Sequence, residues 1–537
     1  MSSTTTSVRR RKGSQHDKTG CLTCRYRRKK CNQNTFPVCG TCARLNLECV
    51  REPVRKIVPP ELMLGGQAQT QAQTQTQAQT QAVAPPRSEA SWSSSPPTTP
   101  LFLLSQPSLL AKPAEAVVES ETIASHHRYA MRYYVNELAN HFSVSPQFNS
   151  FLSEFLPMAM QSQALQESLL SLASSHISLS DPTYAEASLE SRAKAIGHLK
   201  SAIDRPQRDA TWSQEHSATC LVFAMGLITT SDSSGWYSHM QGAKHFMLSA
   251  RGTSSTGALI TGTDCLRQTP EGRWVLRNFA YHDVLGCVTL RSRPLLEPSY
   301  INDICDEVDS YMGVGTGLLQ YIAEIQILAV ELQEQRLDRE SSVFSADFEH
   351  KWTSMEKELQ DWSCPSVRKA CDSLKSIAFA YRSVALIMLY RLVRRQAITC
   401  TSVYPDVSAQ TGAEDDFAAG FIFTNATLVE LLQSKISFQV SETVRHISAI
   451  PVWSAPEAAI LFPLFIAGVE AHDEAVKEEI QTRLGHNLAR RKFQNIRRAM
   501  DLLQTVWERR SSDTGLDNGA TDWEDVLVEM DWELVLT

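Results

Sequence analysis

From Glu119 onward the apolar positions of this 537-residue chain recur at helical spacing. Leu165, Leu169, Leu172, Ala173 and Ile177 share one face of a helix, and Leu189, Ile196, Leu199 and Ile203 repeat the theme behind a Ser180-Asp181-Pro182 start. Trp352, Met355, Leu359 and Trp362 form a third stripe. Leu374, Ala378, Tyr381, Ala385, Met388, Leu389 and Leu392 form a fourth, in a segment so apolar that burial on most sides is expected. Alternating β-branched runs bounded by turn residues are rare, and no fixed-period repeat marks a regular solenoid. The pattern predicts a large all-α domain over residues 119–537 whose core is these stripes.

Upstream the pattern changes. Residues Gln67 to Ala82 read QAQTQAQTQTQAQTQA and a Pro/Ser/Thr tract follows. The Gln alternation has period 2, yet neither face is apolar enough to bury, so residues 50–118 are expected to be a disordered linker. The longest uninterrupted apolar run is Val384 to Tyr390, and the run Ala458 to Val469 carries Pro463. Neither approaches the roughly 20 residues that cross a bilayer, so no membrane span is expected.

Composition is ordinary, with 42% hydrophobic residues, but charge is not evenly spread. Met1 to Lys56 holds 14 Lys and Arg against three acids, a net of +11, which leaves the remainder at −18 of a total of −7. The basic arm suits a polyanion and the acidic remainder would be repelled by one. The N-terminus MSSTTTSVRRRKGS lacks the apolar segment of a secretory signal, so a reducing compartment is expected and the cysteines are read as thiols. Seven of the 13, Cys220, Cys265, Cys287, Cys305, Cys364, Cys371 and Cys400, stand alone among apolar residues and read as small core residues.

The other six lie in CLTCRYRRKKCNQNTFPVCGTCARLNLEC as two copies of Cys-x2-Cys-x6-Cys: Cys21, Cys24, Cys31 and then Cys39, Cys42, Cys49. A Cys-x2-Cys turn brings two thiolates to one tetrahedral zinc at about 2.3 Å, and six intervening residues in a short helix can return a third. Each half is one ligand short. One zinc could use only the two pairs, one half could recruit His16, or two Zn2+ ions could share two bridging thiolates. The twofold symmetry favours sharing, with Cys21 and Cys39, the first of each half, as the bridges. A disulfide framework conflicts with the compartment and with Cys-x2-Cys pairs repeated at metal spacing. Leu22, Leu45 and Leu47 are nearly all the large aliphatics of this segment, so it is expected to fold only with metal.

Six thiolates with two Zn2+ leave a charge of −2, yet Arg9, Arg10, Arg11, Lys12, Lys18, Arg25, Arg27, Arg28, Lys29 and Lys30 supply ten cations. The excess fits double-stranded DNA. Residues 25 to 30 would ring one helical tip, small enough for a major groove about 12 Å wide, where Arg and Lys donate to guanine N7 and O6 and to phosphates.

GCLTCRYRRKKC, Pro37 two places before Cys39, and CGTCARLNLEC closely resemble the DNA-binding domain of fungal Zn(II)2Cys6 transcription factors. FLPMAMQSQALQESLLSLASSHISL, GWYSHMQGAKHFMLSARG, NFAYHDVLGCVTLRSRPLL, LFPLFIAGVEAHD and NIRRAMDLLQTVWERR resemble, in order, the fungal-specific transcription factor domain of arginine-pathway and acriflavine-resistance regulators. The resemblance implies a binuclear zinc cluster bridged by Cys21 and Cys39, a nuclear regulator of RNA polymerase II transcription, contact with the transcription machinery, and recognition of CGG-type triplets. It places Arg27 and Arg28 at the bases and Lys29 and Lys30 nearer the phosphates. Lys29 departs from the family, where an aliphatic residue is common.

The expected architecture is thus a basic arm (1–20), a small zinc-stabilised binuclear-cluster domain (21–49), the linker (50–118) and the all-α regulatory domain (119–537). Arg9, Arg10, Arg11 and Lys12 form a nuclear import candidate. The leading expectation is an activator of a metabolic or secondary-metabolite gene set, and a repressor of the same class is the alternative. An α-helical enzyme targeted to DNA is the remaining rival, but no His-Glu-x-x-His, Gly-x-Ser-x-Gly or P-loop lysine motif occurs. GVGTG at Gly313 to Gly317 reads as a flexible helix-helix loop, and His126-His127 and His472-Asp473 as satisfied histidines. The tail DWEDVLVEMDWELVLT has the composition of an acidic-hydrophobic activation segment, though the resemblance favours a helix docked on the α-domain. Residues 51 to 85 lack an a/d stripe, so either the α-domain makes a homodimer or the cluster binds as a monomer.

Overall fold

The computed structural model describes residues 124–203, 209–230, 235–254, 256–305, 308–337, 346–365, 371–402, 416–512 and 522–537, together with Cys31, Cys39 and Cys42. The expected basic arm, the linker and most of the cysteine segment lie outside the described residues. The chain divides into an N-terminal and a C-terminal unit, each considered by itself.

The C-terminal unit is a large helical domain, as the stripes predict. Its helices are α1 (124–142, with a π-helical turn at Tyr134–Leu138), α2 (151–159), α3 (Gln163–Ser178), α4 (Ala185–Ile203), α5 (Ala210–Thr230), α6 (Trp236–Ser249), α7 (Thr263–Leu266) and α8 (Pro270–Leu290). They continue with α9 (Leu318–Leu337), α10 (Ala346–Asp361), α11 (Asp372–Ser402), α12 (Asp416–Ser448), α13 (Leu461–Val469), α14 (Glu474–Arg491), α15 (Gln494–Ser512) and α16 (Trp523–Glu529). The strands among the described residues are a hairpin of three-residue strands, Arg251–Thr253 antiparallel to Leu259–Thr261.

Helix α8 is the central element, buried along almost its whole length. Thr269 accepts the Gly272 amide at its N-terminus and Pro270 occupies the first turn, where its missing N–H costs nothing. Two close approaches lock it in place. A Cβ on Gly272 would lie 1.8 Å from the Leu266 carbonyl oxygen, and one on Gly286 would lie 2.4 Å from the Trp236 ring. Helix α11 packs most extensively on α12 and also meets α9, α10 and α13. By length and composition residues 372–399 could cross a bilayer, but 67% of their most apolar window is buried inside the domain, so their apolar character is that of a core helix.

The first and fourth stripes lie in the core, with Leu165, Leu169, Leu172, Ala173 and Ile177 buried on α3 and Leu374, Ala378, Tyr381, Ala385 and Leu389 on α11. In the third, Leu359 is buried and Trp352, Met355 and Trp362 pack partly buried against the core. The second stripe is largely reversed, with only Leu199 packing partly buried against the core. Leu189, Ile196 and Ile203 are 67%, 45% and 54% exposed, while Ala187, Ser188, Ser191, Ala195 and Ala202 face inward. Small residues let the backbones of α3 and α4 approach, and the Ser188 hydroxyl donates to the Ser171 carbonyl at 2.9 Å across that contact. Two further expectations are corrected. Cys220, Cys265 and Cys287 are buried, but Cys305 and Cys364 are half-buried and Cys371 is exposed beside the start of α11. GVGTG is a buried hydrogen-bonded turn: the Asp309 and Gly313 amides donate to each other's carbonyls at 2.8 and 3.0 Å, and Met312, Val314 and Thr316 are covered.

Several histidines titrate out of range. Burial first, then the cation of Arg491, pushes His141 down to about 3; burial pushes His282 to about 3; and burial with Arg192 pushes His239 to about 4. Each is neutral when folded and free to charge below about 6.5 when unfolded, so its contribution is full above pH 6.5 and declines as pH falls. The Asp283 carboxyl runs the other way, raised by burial to about 7 although the Leu295 and Leu296 amides donate to it. Its contribution grows as pH falls from 7 toward 4. His127, His176, His446 and His472 are also lowered, chiefly by burial, and Glu215, Asp309 and Glu324 are also raised by it. The lowered histidines outnumber the raised carboxyls, which predicts a net fall in the Tm of the helical domain between pH 7 and pH 5; a flat or rising Tm over that range, measured at constant ionic strength, would contradict the balance.

Candidate nucleic-acid interface and the docked C-terminal tail

Of the six expected zinc ligands, Cys31, Cys39 and Cys42 are described. Cys39 and Cys42 are fully buried, and the Cys42 amide donates to Cys39 Sγ at 3.4 Å. That is the geometry of a Cys-x2-Cys turn folded around its first sulfur, where an amide donor favours the thiolate over the thiol. Sulfurs that are buried, close in sequence and amide-stabilised fit a soft divalent ion such as zinc. Cys21, Cys24, Cys49, the cations Arg25, Arg27, Arg28, Lys29 and Lys30, and the run Arg9 to Lys12 lie outside the described residues.

In the helical domain the tail is docked. Trp523 is buried in α16 and meets the Phe465 ring edge-on at 5.3 Å, and Leu534, Val535 and Leu536 are buried beyond it. Their backbone is held in place: Thr289 donates to the Leu534 carbonyl at 2.7 Å, and Asn495 Nδ2 donates to those of Val535 at 3.1 Å and Thr537 at 2.6 Å. The apolar side chains an activation segment would present are occupied in the core, so the structure chooses the docked reading.

An ion cluster fastens the same tail. Arg391 on α11 reaches Glu470 at 3.1 Å, Glu524 at 3.1 Å and Asp522, and its guanidinium lies 5.5 Å from the Trp523 ring. Arg394 adds a second contact to Glu470 at 3.1 Å, Arg395 reaches Glu524 at 3.1 Å, and Arg291 reaches Glu524 at 3.3 Å. Burial alone would lower the Arg391 pKa, but Glu524, Asp522 and Glu470 outweigh it and raise it. Burial likewise opposes ionisation of Asp522, and Arg391 and Arg395 hold its carboxyl below its ordinary value. Sequence reasoning missed this cluster. The available signal was three arginines at i, i+3 and i+4 in an otherwise apolar helix, which demands internal acids.

The two histidine arrangements singled out in the sequence are held by neighbouring side chains. His127 shares a hydrogen bond with Ser191 at 3.1 Å and His472 one with Gln433 at 3.3 Å. A buried Cys-x2-Cys turn in a strongly basic stretch of sequence, followed by a large helical domain, defines a zinc-dependent DNA-binding regulator of transcription. The comparisons with known proteins agree. The family model for the fungal Zn(2)-Cys(6) binuclear cluster domain matches residues 19–56, and that for the fungal specific transcription factor domain matches residues 129–537. The chain therefore belongs to the fungal Zn2Cys6 transcription factors, and it is a DNA-binding, zinc-binding regulator rather than an enzyme. It is similar to the transcriptional activator protein UGA3 of Saccharomyces cerevisiae, at 22% identity over 93% of this chain and 94% of the relative. No solved structure matches it.

Proposed function

We propose that the protein is a sequence-specific nuclear activator of RNA polymerase II transcription whose cluster, residues 21–49, reads CGG-type triplets in the major groove. The observation that carries the reading is the buried Cys39–Cys42 turn, in a cysteine segment whose sequence also holds Arg25 to Lys30. Cys21, Cys24, Cys31, Cys39, Cys42 and Cys49 would hold two Zn2+ ions, with Cys21 and Cys39 shared. The metal supplies the cross-link that a core of three leucines cannot. The chain's own residues then divide the work: Arg27 and Arg28 address base edges, Arg25, Lys29 and Lys30 the phosphates, and Arg9, Arg10, Arg11 and Lys12 serve as a phosphate-binding arm and import signal.

The activator role is supported by the similarity to the yeast transcriptional activator, and the gene set by the family resemblance. Within this reading residues 1–20, 50–118 and 119–537 remain arm, linker and regulatory domain. A homodimer would run through the helical domain, where Leu189, Ile196 and Ile203 stand exposed at seven-residue intervals, the spacing of a two-helix seam.

The test compares zinc-loaded protein on CGG-containing and scrambled duplexes at fixed salt. Arg28→Ala is expected to cost about 1–3 kcal/mol on the CGG duplex and to relax specificity. Arg11→Ala is expected to weaken binding on both duplexes and to lower the salt slope by about one. Equal losses on both duplexes for both variants would contradict the division, and no preference for CGG in the unaltered protein would remove the reading.

A further inference from the structure

A cavity of about 30 Å3 lies in the helical domain where α1, α5, α8, α14 and the start of α15 converge, lined by Met225, Tyr281, His282, Asn487, Arg491 and Phe493 among others. That is room for a few heavy atoms, since one water needs about 10–15 Å3 on this measure. The Arg491 side chain in its wall is only 3% exposed, and its Nε and Nη2 have no hydrogen-bond partner. Two more unpartnered buried polar atoms belong to the same wall, His282 Nε2 and Asn487 Oδ1. Asn487 is oriented by its other end, Nδ2 donating to the Glu457 carbonyl at 2.8 Å, so an oxygen is what it leaves unpaired.

The charge around Arg491 is also unbalanced. Glu457 is the acid that acts on it, yet that carboxylate is fully buried and shared with Arg483 at 3.2 Å and Arg490 at 4.0 Å; its Oε2 accepts the Trp453 amide at 2.8 Å and its Oε1 makes no hydrogen bond. Three guanidinium groups therefore share one carboxylate. Water in the cavity could satisfy the N–H donors but not the charge, and an uncompensated buried charge is costly to the fold.

The cavity lies one side chain from the surface. His141, whose Nδ1 is likewise unpartnered, lines both this cavity and a broad surface cleft that Tyr129, Tyr133, Trp453, Arg490 and Lys492 border. Trp453 on that cleft holds a left-handed φ of 67°, which non-glycine residues seldom adopt, while the left-handed Lys492 is the C-cap that ends α14. Helix α1 contributes His141 just beyond its π-helical turn, another feature frequent at functional sites.

We propose that this cavity is the site of a small organic carboxylate, whose anion pairs with the planar fork of Arg491 and whose hydroxyl or amino group donates to Asn487 Oδ1. Arginine suits the task because its donors match both carboxylate oxygens at once. The site gives the regulatory domain a metabolite to sense, and it is independent of how the zinc cluster reads DNA.

The experiment uses the full chain with zinc, at constant ionic strength, and follows Tm and ligand-observed NMR with acetate, glycolate and the neutral isostere acetamide. Acetate is expected to raise the Tm, glycolate to do so at lower concentration, and acetamide to have no effect. Arg491→Met is expected to weaken acetate at least about tenfold, while its Tm without ligand equals or exceeds that of the unaltered protein, because an unpaired buried charge has gone. Binding of CGG duplex by Arg491→Met is expected to be unchanged, which separates failure here from failure of the DNA reading. Acetamide matching acetate, or no acetate effect in the unaltered protein, would overturn the site without recourse to any variant.

Discussion

A zinc chelator is expected to abolish duplex DNA binding by this protein while leaving the far-UV signal of the helical domain in place, and Cys39→Ala is expected to do the same. The argument is one of size. The segment from Cys21 to Cys49 has almost no aliphatic side chains beyond Leu22, Leu45 and Leu47, too few to offset the entropy of ordering its backbone. Structural zinc contributes about 10 kcal/mol or more in peptides of this kind, so its removal exceeds any stability the segment could retain. Cys39 is fully buried and accepts the Cys42 amide, and in the proposed sharing arrangement its loss would disturb both metal positions. Cys220→Ala makes the control, since Cys220 is equally buried but in α5, where burial pushes its thiol up to about 12 and keeps it neutral. It is expected to leave DNA binding untouched. Binding that survived full chelation would show that the DNA interface does not depend on the cluster.

Arg391→Met is expected to lower stability by about 3–5 kcal/mol and to release the tail to proteases before the rest of the domain unfolds. Removing this guanidinium leaves Asp522 and Glu524 only partly compensated by Arg395 and Arg291, and deprives Glu470, 4% exposed, of one of its two ion-pair partners. Asp522 is also the N-cap of α16, accepting the Glu524 amide, so a charge freed there disturbs the helix that carries Trp523. The comparison is Arg445→Met. Arg445 pairs with Glu442 at 2.7 Å but is 60% exposed, and such surface pairs contribute about 0–1 kcal/mol. Denaturant unfolding and limited proteolysis of both variants check the prediction; equal behaviour would mean the cluster adds nothing beyond a surface pair.

How much could be read from the chain alone depended on how local each feature is. The α3 stripe was legible because its large residues, Leu165 to Ile177, are the ones that pack. The α4 stripe misled because periodicity names two faces and does not say which one a neighbour covers; Ala187, Ala195 and Ala202 are buried because α3 comes close, and Leu189 and Ile196 are left outside. GVGTG likewise suggested freedom, and the surrounding packing removed it. Neither Arg391 nor Arg491 carried a signal that could locate its partners. Arg391 finds Asp522 and Glu524 more than 130 residues away, and the Arg491 cavity is walled by segments from α1 to the tail.

By itself the sequence determined the zinc-cluster class and the helical nature of the large domain, because cysteine spacing and helical periodicity are set within a few residues along the chain. The tertiary structure decided which face of α4 is inside, that the acidic-hydrophobic tail is docked, and that Arg491 shares one carboxylate with two other arginines beside a cavity. Those outcomes are balances of burial and charge between groups far apart in sequence, and only packing brings such groups within reach of one another.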